Sequence, residues 1–101
     1  MTFSEVDVQR VWEKASVAHG YRPERWRKDA CGAWVARDQY GNRDDLYGWD
    51  IDHITPVSRG GGDELSNLRP LQWENNAARQ AGRLDCVVTA NGDRNVKIPR
   101  P

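Results

Sequence analysis

Between residues 49 and 79 the chain reads WDIDHITPVSRGGGDELSNLRPLQWENNAAR, and few folds accommodate that order. Trp49 and Ile51 alternate with Asp50 and Asp52, the period of a short half-buried strand that ends at the adjacent pair Asp52-His53. Pro56 and the run Gly60-Gly61-Gly62 exclude regular structure from the long loop that follows. Glycine there permits tight turning and close approach of another backbone. Leu68 to Leu71 reads as a returning strand, with Pro70 implying an edge or a strand end. A helix is predicted from about Gln72 or Trp73 to Leu84. Trp73, Ala77, Ala81 and Leu84 would share its apolar face. Asn76, Arg79 and Arg83 would form an adjacent stripe looking into the space beside the strands, while Glu74 points elsewhere. The order is strand, loop, strand, helix.

The flanking segments close a core around this unit. Residues 4–18 predict an amphipathic helix with Val8, Val11, Trp12, Ala15 and Ala18 on one face. Ser4 and Asp7 are spaced for a capping box, and Phe3 and Val8 for a hydrophobic staple across it. Gly20 would stop the helix, leaving His19 at its negative end with no chemical role. Tyr21 to Asp29 reads as a turn or short helix begun at Pro23. It serves equally as a nucleic-acid grip or as a solvated face with Trp26 tucked inward. Ala33–Arg37 is strand-like, and the polar stretch after it is a loop. Residues 86–90 and 95–98 are two further strand-like runs, separated by Asn91-Gly92-Asp93-Arg94, a hairpin signal, and the tail ends at Pro99 and Pro101. The fold class is therefore α+β: one small domain over residues 1–101, with a two-stranded antiparallel hairpin plus helix, an N-terminal amphipathic helix and a C-terminal β-hairpin.

Composition narrows the functional classes. With 30% charged and 38% hydrophobic residues, the chain reads as soluble and globular. No apolar run approaches a membrane span, and the first residues lack the pattern of a secretory signal, so cytoplasmic residence is the expectation. Cys31 and Cys86 form no C-x-x-C pair and cannot supply the four ligands of a structural zinc. They are expected as buried thiols, with a disulfide the remaining alternative. The formal net charge is +0, unlike the basic balance usual for nucleic-acid binders. Its distribution is uneven. Asp44, Asp45, Asp50, Asp52, Asp63 and Glu64 crowd the centre, while Arg22, Arg25, Arg27, Lys28, Arg69, Arg79, Arg83, Arg94, Lys97 and Arg100 flank it. Carboxylates ringed by cations suit phosphodiester cleavage, and a salt-bridged surface explains the same charges.

The central stretch resembles the HNH endonuclease motif, or ββα-metal motif, whose pattern reads roughly D-H-I-x-P, a Gly-Gly loop, N-L-x-P-L, and N-x-x-K or N-x-x-R on the helix. The resemblance is sharp over about residues 47–85. It implies a metal-dependent endonuclease that hydrolyses phosphodiester bonds in DNA, double-stranded by expectation. Asp52 and Asn76 would be the metal ligands, and His53 the general base that takes a proton from water. Asn67 would brace the loop and help orient the histidine, and Arg79 would contact the scissile phosphate. Oxygen-only ligands suit Mg²⁺, with Mn²⁺ as the alternative. Many relatives carry zinc-binding cysteine pairs, one of them flanking the start of the last helix. Gln72 and Asn75 stand there in this chain, which implies a version without structural zinc. Two other readings remain open: an inactive HNH-like nucleic-acid-binding module, and a nuclease toxin domain with an immunity partner. Taken singly, Asp52 could cap a turn, Asn67 could be a turn residue and Asn76 a solvent-facing helix residue.

Overall fold

The computed structural model describes residues 3–80 and 82–100. Helix α1 spans Glu5–Trp12, and Ser4 caps it through the reciprocal box expected with Asp7. Its buried face carries Val8, Val11 and Trp12. The helix stops well short of residue 18, because the next residues are claimed by a sheet. Strand β1 (Ser16–Val17) pairs antiparallel with β2 (Trp26–Lys28), which pairs with β3 (Trp34–Ala36). The Arg27 guanidinium also donates to the carbonyls of Glu13 and Ala15 and fixes that departure from the helix. His19 consequently lies in an exposed turn rather than at a helix end.

Strands β4 (Trp49–His53) and β5 (Leu68–Gln72) form the antiparallel hairpin that the alternation predicts. Asp52 pairs across it with Arg69 and Ile51 with Pro70, so the proline sits in a two-stranded sheet where its missing N–H is tolerated. The core joins α1 to this hairpin and to β3 through Val8, Val11, Trp12, Val35, Trp49 and Leu68, with Phe3 and Ile51 packed against it. The Trp12 and Trp49 rings lie 5.5 Å apart in a tilted pair. Each indole N–H finds a carbonyl, Pro23 for Trp12 and Ala36 for Trp49, as buried tryptophans require.

Helix α2 is only Trp73–Ala77, against the predicted reach to Leu84. The Gln72 side chain caps it by accepting from the amides of Glu74 and Asn75. Its early end has a tertiary cause. The buried Asn75 amide accepts from the N–H groups of Val87 and Val88 and donates to the Val88 carbonyl. The chain must double back to deliver those residues, and it does so at Gly82, whose φ of +87° suits glycine. Leu84 and Arg83 therefore leave the helical wheel, and Ala81 and Pro101 lie outside the described residues. A final hairpin, β6 (Val88–Asn91) and β7 (Arg94–Lys97), turns at Gly92-Asp93. Asn95, buried, docks it on β3 by exchanging two hydrogen bonds with the Trp34 backbone.

Two crosslinks tie these pieces together. One is the Asp29 carboxylate, buried between β2 and β3. Its Oδ1 accepts from the amides of Cys31 and Ala33, and its Oδ2 accepts from the Gln72 amide and the Asn75 side chain. Burial pushes its carboxyl above the ordinary carboxylate range, opposed by those same hydrogen bonds. The other is a disulfide between Cys31 and Cys86, across 55 positions of sequence. This corrects the expectation of two free buried thiols. The turn that Asp29 organises and the segment that Asn75 draws back bring these distant positions together.

Both crosslinks are testable. Asp29→Ala strands four donors and should lower unfolding free energy by about 2–4 kcal/mol in urea titrations, with Asp29→Asn recovering part of it through its remaining acceptor oxygen. Cys31→Ser should cost up to about 4 kcal/mol, the chain-entropy value for a loop of this length. Reduction of the wild type should lower its melting temperature to match that variant.

Candidate active site

The site forms where β4 ends. On a strand, residues two apart share a face, so Asp50 and Asp52 both look toward α2. Asp52 is almost wholly buried, its side chain 4% exposed. Its Oδ2 accepts from Arg69 Nε at 2.8 Å and its Oδ1 from Arg79 at 2.5 Å. Asp50 accepts from Arg43 at 2.7 Å and from the Asn76 side-chain amide at 3.1 Å. Only an amide nitrogen can donate to that carboxylate, so the Asn76 oxygen is turned away from it. Asp50, Asp52, Asn76 and Arg79 thus make one polar cluster between β4 and α2.

Arg79 is 11% exposed and braces the strand end. Besides Asp52 it donates to the carbonyls of His53, Ile54 and Gly82, and its buried Nε finds no partner. The guanidinium is turned inward onto these acceptors. Its hold on Gly82 and Ile54 also locks the turn that ends α2.

His53 is the exposed member of the pair, with 21% of its side chain accessible. Its Nε2 lies 2.7 Å from Asp63 Oδ1, and its ring sits 6.1 Å from that of Phe3. The loop between His53 and Asp63 is closed by Asn67. Asn67 Oδ1 accepts from the Thr55 amide, and Nδ2 donates to the carbonyls of Thr55 and Gly62. It bridges the two sides of the loop, and no hydrogen bond joins it to the imidazole, whose Nε2 meets Asp63 instead. Gly61 makes this closure feasible: a Cβ there would fall 1.8 Å from the Thr55 carbonyl oxygen. The sequence marks Asp50 as a strand residue and, with Asp63, as part of the acidic centre, and gives neither a role in the site. The available signals were the same-face spacing of Asp50 with Asp52, and the place of Asp63 directly after the glycines.

The residues expected as metal ligands fit a hard cation in kind, since Asp52 and Asn76 offer oxygen atoms only. Among the described residues no three His, Cys, Asp or Glu side chains converge as a metal cluster. Such a sparse donor set suits an ion that keeps much of its water. Asp52 also holds two guanidinium groups, one on each oxygen, and an ion there would share the carboxylate with them.

Loop closure predicts a measurable dependence. Gly61→Ala forces backbone apart and should lower stability by about 1–3 kcal/mol, whereas Gly60→Ala meets no neighbour within 4 Å and strains only its own positive φ. Asn67→Ala should free the loop and raise amide hydrogen exchange at Thr55 and the residues around it.

Comparison with known proteins agrees with the geometry. Residues 36–77 match the family profile described as HNH endonuclease. No curated protein and no solved structure shows a significant match to the chain. The matched span runs from the end of β3 through the hairpin, the Asp52-His53 pair and the Asn67 loop to the end of α2. HNH proteins are usually nucleases that act on nucleic acids and generally use a divalent metal ion. The profile match and the strand–loop–strand–helix geometry over the same residues support reading residues 36–77 as an HNH endonuclease domain.

Proposed function

We propose that the chain is a metal-dependent endonuclease that hydrolyses phosphodiester bonds in DNA, with His53 as the general base. The supporting observation is the contrast at the end of β4. Of two adjacent polar residues, Asp52 is buried and charge-paired, whereas His53 stands accessible with one ring nitrogen engaged by a carboxylate. A positioned imidazole with one nitrogen held and one facing solvent is the arrangement that proton abstraction from water needs. Asp52 and Asn76 would hold the ion, Mg²⁺ by their chemistry or Mn²⁺ in its place, with Asp50 fixing the orientation of the Asn76 amide. When bound, the ion supplies charge stabilisation for the phosphate and the departing oxygen. Asn67 keeps the loop closed around the histidine. A surface hollow of about 210 Å³ beside β5 is lined by Lys14, Lys28 and Arg69 together with Asp29, and its cations would favour a nucleic-acid backbone there.

A second reading has one observation in its favour. The pairing of Asp52 with both Arg69 and Arg79 makes the carboxylate a structural anchor, which suits a nucleic-acid-binding module without catalysis. A plasmid assay separates the two. The wild type should nick or cut DNA with Mg²⁺ or Mn²⁺ and not in EDTA. His53→Ala should fall at least 100-fold (on the scale of about 10² to 10⁴ for a positioned base) while melting normally. Salt-sensitive binding without cleavage under any divalent ion decides for the binding module, and full activity in His53→Ala removes the proposed base.

A further inference from the structure

We propose that Asp63 is the positioning residue of His53, keeping the imidazole proton on Nε2 and presenting Nδ1 to the attacking water. The catalytic part of this rests on the endonuclease reading above; the placement of the proton does not.

The geometry is specific. Asp63 Oδ1 is 2.7 Å from Nε2, and an ionised carboxylate is acceptor-only, so the shared proton belongs to the ring nitrogen. Among the described residues, no lysine or arginine pairs with Asp63, whereas Asp50 and Asp52 each hold at least one guanidinium. The side chain is 34% exposed, so its partner is not imposed by core packing. Its position is imposed by the backbone. Asn67 Nδ2 grips the Gly62 carbonyl, immediately before Asp63, and the same amide grips Thr55, two residues after His53. The two ends of the dyad are thus tied to one amide, and Gly61 supplies the close backbone approach that lets them meet. Asn67 acts on the histidine at one remove, by delivering the carboxylate that touches it. The opposite tautomer would set two acceptors, Nε2 and the carboxylate, against each other at hydrogen-bond distance, which is unfavourable.

The test combines a spectroscopic and a kinetic readout on the whole chain. Long-range ¹⁵N–¹H spectra at alkaline pH, where the ring is neutral, should show His53 as the Nε2–H tautomer in the wild type. Asp63→Ala should lose that preference while keeping the wild-type melting temperature. In plasmid cleavage, Asp63→Ala should lower kcat about 10- to 100-fold with KM little changed, a part of what a positioned base contributes. Asp63→Asn keeps an acceptor oxygen and should recover some of that loss. A wild-type ring protonated on Nδ1, an unaltered tautomer in Asp63→Ala, or a rise in KM with kcat intact overturns the proposal. If the wild type cleaves no DNA, the endonuclease reading fails by itself. The spectra then decide alone: a tautomer preference that depends on Asp63 upholds the positioning, and one that does not overturns it.

Discussion

The Asp29 carboxylate is the interaction on which most of the molecule depends. It collects two amides from its own turn and two donors from the start of α2. Those four bonds fix the sheet of β1, β2 and β3 against the hairpin and helix that carry the site. Because Asn75 also binds Val87 and Val88, the same node extends to the C-terminal hairpin. Burying a carboxylate is costly unless its oxygens are fully bonded, and every partner here is a donor. The node therefore tolerates little substitution: a group that offers a proton to this cage finds nothing to receive it.

Electrostatics at the end of β4 follow from that scaffold. Alternation along the strand sends Asp50 and Asp52 toward α2, while His53 falls on the opposite face, shared with Trp49 and Ile51, at the end of the strand. Neighbours in sequence thereby receive unlike environments, one desolvated between arginines and one half-open beside Asp63. Both acidic groups facing α2 are charge-balanced within the protein, and the imidazole's carboxylate is not shared with any described cation. The separation of an anchored side from a responsive side is a direct product of a two-residue period.

Much of this architecture was legible in local pattern. The β4 and β5 strands, the capping box at Ser4 and the C-terminal hairpin lie where alternation, cap spacing and the Asn91-Gly92 pair put them. The failures share a cause, which is that distant partners override local preference. Residues 13–18 continue an apolar helical stripe, yet Ser16 and Val17 pair with β2. The wheel from Trp73 to Leu84 is regular, yet Asn75 pulls Val87 and Val88 back over the helix and ends it. Cys31 and Cys86 carry no spacing signal, and they meet only because Asp29 and Asn75 shape the segments around them. For the site, the run DHITP marked His53 and Asp52. The dyad with Asp63 depends on a loop closure that no periodicity encodes.

Gln72 and Asn75 stand where an inorganic crosslink would have its thiolates in relatives with cysteine pairs, and here their partners are a carboxylate and backbone amides. The scaffold is consequently held by groups that a chelator does not address. Under the proposed metal-dependent cleavage, stripping divalent ions would silence chemistry while leaving the polypeptide architecture standing, so loss and restoration of turnover would be followed on one continuously folded population.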